Sequence, residues 1–459
     1  MSKKLLIPFL VLLFLADSFI LPAQNPRIDG YKGIWYSFGQ LEEFGYKFSG
    51  GVATFASRHR PMAIYAPEVR KTFFVYGGTT GPEEQHLVIM VSYYDHRLNK
   101  VPKPVVVYDK MGVKEPQDNG SLSIDGDGNL WIFISGRGRT RPGLIFKSSK
   151  PWSIDSFDKI MEWEMISPQP WWMEDNGFML MFSRNIKGRE LYFSSSADGK
   201  TWADSQKIAA MGGHFQVSNV KGKKLVTVFN YHPGGNIDRR TNLYLLQTDD
   251  MGRTWKTVDN RIVTIPVTDV RSEALIKDYE AEGKLVYISD LDFDNEGNPV
   301  VLVILSSDVN PGPKGGPREW MIITRKNNNW NFSKVCESYH NYDMGALYIT
   351  DNEWRIIGPT EPGPQKYGTG GEIALWISRD KGISWEKVRN ITSNSTRNNS
   401  FVRNPVNAQK DFYALWTDGD ADKFSTSCLY FTNENCDKVW VLPYEMMKNF
   451  QKPLLIRSY

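Results

Sequence analysis

The chain has 459 residues and a formal net charge of only +3, which leaves room for one large domain and argues against a nucleic-acid partner. Aromatic residues make up 13% of it, with 15 Trp and 21 Tyr; most should pack inside the fold, and a minority are available to stack on sugar rings. Of the three cysteines, Cys336, Cys428 and Cys436, only the last two are spaced to bridge a hairpin.

Residues 1–24 read as a signal peptide. Lys3 and Lys4 precede an apolar run at 5–15, and Leu21-Pro22-Ala23 makes a small-residue exit. The run is too short to span a bilayer, so the mature chain is expected to be soluble and exported, periplasmic or secreted, and monomeric. Residues 25–459 then read as a single domain. Strand-like runs fill it at 72–76, 87–93, 130–134, 225–229 and 300–304. Turn signals are expected at Gly77-Gly78, 125–128, Lys221-Gly222 and 295–298, and one short helix at 153–161. Glycine pairs at 50–51, 234–235 and 370–371 suggest close backbone approaches.

The most specific signal is a repeated turn. TDDMGRTW at 248–255 recurs as SRDKGISW at 378–385, and in degenerate form as SSADGKTW at 195–202 with Ala197 in the Asp slot. The Asp caps turn N–H groups, the Gly supplies φ > 0, and the Trp packs under the turn. The pattern resembles the Asp-box, or bacterial-neuraminidase repeat, found between outer strands of β-propeller blades. It implies an all-β, seven-bladed β-propeller with Asp-box turns, since about 435 mature residues divide at roughly 40–60 per blade. Asp-boxes lie far from a propeller's central site and say little about chemistry.

Polar residues on the innermost strands are the first candidates for function, because propeller ligands bind in a funnel at one end of the channel. The densest group is His214-Phe-Gln-Val-Ser218, Phe229-Asn-Tyr-His-Pro233 and the run from Asp238 to Tyr244. A His, a Tyr and an Arg at neighbouring strand ends match β-elimination from a uronate. Arg240 would neutralise the carboxylate, and His214 or Tyr231 would remove the C5 proton or protonate the leaving oxygen. A second group is His340, Tyr342 and Asp343, with Arg271 and Arg318 upstream. A third lies near the start, with Gln40, Lys47 and His59.

GYKGIWYSFGQ at 30–40, the segment 47–78, FNYHPGGNIDRRTNLY at 229–244 and ESYHNYDMGALY at 337–348 resemble a family of exported bacterial propellers that act on acidic polysaccharides. The family includes ulvan lyases, related oligosaccharide-processing enzymes and propeller α-L-rhamnosidases. The resemblance implies a lyase-like site using Tyr231 and Arg240 with His214 nearby and with Gln117 and Asn119 at the substrate; from the second and third groups, Arg271, Arg318, His340, Tyr342 and His59 are further expected substrate contacts. No cofactor is expected, and the sequence leaves a structural metal ion open.

The chain departs from that pattern at Gln117-Asp118-Asn119, where propeller lyases typically have His-Asp-Asn. Glutamine can hydrogen-bond a carboxylate but cannot act as a base. Rhamnosidase-like relatives work from the opposite face with one N-terminal His, for which Gln40 and His59 are the positions here. A sialidase fits poorly, because no Phe/Tyr-Arg-Ile-Pro segment opens the fold and no arginine triad is assignable. The expected activity is β-elimination across C4–C5 of a uronate in ulvan-type rhamnose–uronate chains, as lyase or as dehydratase of a terminal uronate. The alternatives are an α-L-rhamnosidase-type hydrolase and a non-catalytic glycan-binding propeller.

Overall fold

The computed structural model describes residues 24–81, 86–112 and 115–458; the expected leader lies outside them but for Gln24. The described chain is all-β. Six antiparallel sheets of four strands and one of five follow one another in sequence, each built as a meander of neighbouring strands. The sheets begin with Ala63–Ala66, Gly120–Ile124, Ile166–Met173, Gln216–Lys221, Leu285–Phe293, Ala346–Ile349 and Asn398–Arg403.

Hydrogen bonds join each first strand to the next. Leu122 N–H donates to Pro61 (2.7 Å), Ser121 Oγ to Pro168 (2.7 Å), Gln169 Nε2 to Gln216 (3.0 Å) and Asn219 Nδ2 to Leu291 (2.8 Å). Ser289 Oγ donates to the Gly345 carbonyl (2.9 Å), and Asn404 Nδ2 to Leu347 (3.1 Å). Val406 then exchanges backbone bonds with Ala63 and Tyr65, which brings the seventh sheet back to the first. The ends of the chain are tied in as well. Gly33–Ser37 pairs with Ser425–Ser427 and Ser49–Gly51, and Phe450–Gln451 pairs with Val101–Pro102. Between sheets the core is apolar and aromatic, as where Val300, Leu302, Trp320, Leu347 and Trp354 pack together.

The repeated turns sit between the third and fourth strands of their sheets. Asp250 accepts from Thr254 N–H (3.0 Å), Thr254 Oγ1 (2.6 Å) and Thr248 Oγ1 (2.8 Å), while Gly252 takes φ of 83° and Trp255 is buried. Asp380 does the same for Ser384 and Ser378. In the degenerate copy Asp198, one position after Ala197, accepts from Ser196, Lys200 and Thr201. That hairpin is one residue shorter and keeps its carboxylate cap.

Two local expectations are corrected, and the state of the cysteines is seen. Residues 157–163 form an outer strand, Phe157–Trp163, not a helix. A bulge opposite Ile145 and Phe146 leaves Ile160 unpaired, which breaks the alternation and imitates helical spacing. Gly77 and Gly78 end a strand and make no turn; a Cβ on them would meet Val52 and Met90 at 2.8 Å. Cys336, Cys428 and Cys436 are all free thiols.

Candidate functional site

The N-terminal ends of the first strands and of the third strands lie at the same end of the sheets, because strands alternate in direction. Three arginines enter from there. Arg58 precedes the first sheet, Arg189 opens the strand Arg189–Ser196, and Arg240 immediately precedes Thr241–Thr248. All three converge on Phe215, just ahead of Gln216–Lys221. Their guanidinium carbons stand 4.3, 4.7 and 4.6 Å from its ring centre. Arg240 also faces Tyr287 at 4.8 Å, Tyr342 at 5.1 Å and Phe48 at 5.6 Å. Aromatic faces soften a positive charge but do not cancel it.

None of the three arginines has a carboxylate partner among the described residues. Glu115, the acid whose charge reaches Arg58 and Arg189, is paired with Arg137. Arg58 Nε and Arg189 Nη1 are buried with no hydrogen-bond partner, and Arg189 Nη2 donates only to Gln117 Oε1 at 3.3 Å. Burial above all, and then the neighbouring positive charges, pushes Arg58 down to about 10 and holds Arg189 well below the ordinary arginine value. Buried cations that lack counter-charges are costly alone and gain most from a bound anion.

His232 stands beside them, just after the strand Lys224–Tyr231. Its ring meets Phe215 edge-on at 4.8 Å, and Nε2 is buried without a partner. A side chain at Gly213 would put Cβ 2.9 Å from His232 Nδ1, so the ring's seat requires that glycine. Burial first, then Arg240, holds His232 well below the usual histidine range. It is therefore a neutral imidazole with a free ring nitrogen beside three cations. The Tyr287 hydroxyl, raised by burial, accepts from Asn341 Nδ2 at 3.1 Å.

The other expected residues separate into those that touch this cluster and those that do not. Arg240, Tyr342 and Gln117 belong to it. His214 does not present a free nitrogen: Nδ1 meets the Asn230 carbonyl at 2.8 Å and Nε2 accepts from Met211 N–H at 3.0 Å. Tyr231 is half-buried against the apolar cluster containing Phe229 and Tyr244. His59 is held by the carbonyls of Phe55 (2.7 Å) and Gln117 (2.9 Å), and burial lowers it to about 3. His340 spends its nitrogens on the Tyr46 carbonyl and on Tyr342 N–H and Thr369. Arg318 is saturated by the carbonyls of Asn310, Gly312 and Gly316, and its Nε holds Asn341 behind Tyr287. Asn119 binds the carbonyls of Val52 and Phe55, and Arg271 lies exposed on an outer loop.

Sequence reasoning did not single out Arg58 or Arg189, and it named His232 only as a strand end. A signal was present: the third strands of three successive sheets are entered by an arginine, at 189, 240 and 318. The opposite end of the sheets holds a separate cavity of about 550 Å³ lined by Arg60, Trp171, Asn219, Asp292, Tyr348 and Arg403. Burial raises Asp292 there to about 7, while Arg60 is paired with Asp290 at 2.6 Å.

Residues 84–338 match the model of a BNR repeat-containing family. The chain is 22% identical over 318 residues to an ulvan lyase of Nonlabens ulvanivorans, covering 62% of this chain and 64% of that protein. The solved structure of an ulvan lyase from a new polysaccharide lyase family superposes with a TM-score of 0.71 at 16% identity, over 90% of this chain and 96% of that one. An ulvan lyase of that family bound to -[GlcA(1-4)Rha3S]- gives 0.70 at 15% identity, with the same coverage. These structural likenesses speak to the fold.

Proposed function

Because the chain belongs to the BNR repeat-containing family of Asp-box propellers, which includes ulvan lyases, we propose that it is an exported, seven-bladed lyase acting on ulvan-type rhamnose–uronate chains or their oligosaccharides. The observation that carries the chemistry is the set of three buried arginines without a carboxylate partner, two of them with unpartnered nitrogens, beside a neutral histidine. A uronate carboxylate seated on Arg58, Arg189 and Arg240 has its charge offset, which acidifies the C5 proton. His232 Nε2 takes that proton, the C4–O bond breaks, and the Tyr342 or Tyr287 hydroxyl protonates the leaving oxygen. The leaving group is the adjoining sugar in a lyase and water in a dehydratase. Gln117 holds Arg189 in place of the histidine typical of propeller lyases, and His232 supplies the base that Gln117 cannot.

A second reading, hydrolysis at the opposite end of the sheets, is favoured by one observation. Asp292, raised to about 7, faces the 550 Å³ cavity with Trp171, and such a carboxyl is poised as a general acid. Incubation with ulvan separates the readings. Elimination generates an ultraviolet-absorbing unsaturated uronate, hydrolysis generates new reducing ends without that chromophore, and binding without product leaves a glycan-binding propeller.

A further inference from the structure

Residues 38–48 run between two paired strands, Gly33–Ser37 and Ser49–Gly51, as a strap across the arginine end of the sheets. A short hairpin, Leu41–Glu42 with Gly45–Tyr46, stiffens it. Phe44 packs on Gly312 and on Tyr367 at 5.4 Å, and the Tyr46 carbonyl accepts from His340. Phe48 lies against Tyr342 (5.4 Å) and Arg240. These contacts reach loops of the fifth and sixth sheets.

Apart from Phe48 on Arg240, the strap's link to the fourth sheet is ionic. Lys47 Nζ meets Asp238 Oδ2 at 3.0 Å, with Glu42 at 3.8 Å on the strap itself. Asp238 belongs to the loop that carries His232 at one end and Arg240 at the other, and Gly234 and Gly235 give that loop φ of 63° and 75°. Its second carboxylate oxygen is buried with no hydrogen-bond partner. At the arginines, the space enclosed by Ser57, Arg58, Phe215, Arg240, Tyr287 and Met344 is about 10 Å³, room for roughly one small polar group, so that a carboxylate reaches in while its sugar ring stays at the mouth beside the strap. A polymer gripped by an interior residue must leave a site in two directions, and the latched strap blocks one of them.

We infer that the strap, latched by Lys47–Asp238, makes the anion site blind-ended, so that it takes the terminal uronate of a chain; Lys47 and Asp238 are then determinants of chain-end specificity. The inference rests on the arginine cluster being the uronate site. It is tested by comparing the full-length protein with Lys47→Ala, Asp238→Asn and the exchanged pair Lys47→Asp/Asp238→Lys on ulvan polymer and on short oligosaccharides. The unaltered protein should form chromophore faster per chain end on oligosaccharides and lower polymer viscosity slowly. Each single variant should raise the polymer-to-oligosaccharide rate ratio about fivefold, the scale of one partly exposed ion pair, and the exchanged pair should restore it. Viscosity falling in step with chromophore in the unaltered protein, or single variants with an unchanged ratio, overturns the inference. If no chromophore forms from any substrate, the elimination reading fails by itself. Binding stoichiometry on size-fractionated uronate chains then decides the strap's role. One protein per chain at every length supports it, and a number that grows with length refutes it.

Discussion

Replacing Arg240 by methionine separates chemistry from stability. The guanidinium makes one hydrogen bond, from Nε to the Ile237 carbonyl at 2.9 Å, and otherwise faces four aromatic rings. Methionine keeps much of the packing volume and loses the charge. In the folded protein the change removes a buried cation that repels Arg58 and Arg189 and has no carboxylate partner. The lost cation–π contacts, about 0.5–2 kcal/mol each, are offset in part by that relief, so the melting temperature should move by a few degrees at most. The transition state loses its main counter-charge to the developing enolate. Loss of an oxyanion donor costs about 3–4 kcal/mol, which predicts a fall in kcat of roughly 10²–10³-fold. The assay is initial-rate formation of unsaturated uronate from ulvan oligosaccharides, with thermal unfolding of the same preparations. Near-normal turnover would remove Arg240 from the site, and an unfolded variant would make its role structural.

His232→Gln should abolish turnover while leaving a folded protein; and because His232 is neutral well below the ordinary histidine value of about 6.5, kcat/KM should stay flat as pH falls through 6.5, whereas an acid limb there would assign the base elsewhere. His214→Ala should cost about 2–4 kcal/mol of stability, because two backbone partners and a buried ring are lost, yet the folded fraction should keep turnover within a few-fold, as should Tyr231→Phe; a dead but folded variant of either would restore it to the catalytic set. Asp250→Ala removes three hydrogen bonds from an outer turn and should lower stability by about 1–2 kcal/mol in denaturant titration with activity intact. Acid should weaken the fold between about pH 6.5 and 4: His59, His214 and His340 sit at about 3, 4 and 3 when folded, so the unfolded chain takes up their protons first as pH falls, and with His232 they outnumber the opposing Asp292 and Asp343, both raised to about 7. Thermal unfolding across that range should show stability rising with pH, and a flat profile would contradict the buried, neutral histidines.

What the sequence discloses here is what is local. The Asp-box turns are legible because cap, glycine and tryptophan lie within eight residues, and even the shortened copy keeps its carboxylate at Asp198. The strand at 157–163 is not, because its bulge comes from pairing with a partner that only the folded sheet supplies. The site shows the same divide. Alternation puts His214 with Gln216 and Ser218, but the carbonyl of Asn230 and the N–H of Met211, which saturate its ring, are brought in by the fold. Arg58, Arg189 and Arg240 come from three sheets and meet only around Phe215. Each alone is an ordinary surface-type residue; their shared burial without counter-charge is a property of the assembled sheets.

If the arginine cluster drives elimination from a uronate, the reaction run in heavy-oxygen water will show it in the products. Mass spectrometry of products from a defined rhamnose–uronate oligosaccharide should show an unsaturated uronate with no heavy oxygen incorporated, formed by chain scission or by loss of water, and Arg240→Met should slow its formation by roughly 10²–10³-fold. Saturated fragments carrying one heavy oxygen, formed equally well without Arg240, would show hydrolysis at another site and contradict the account.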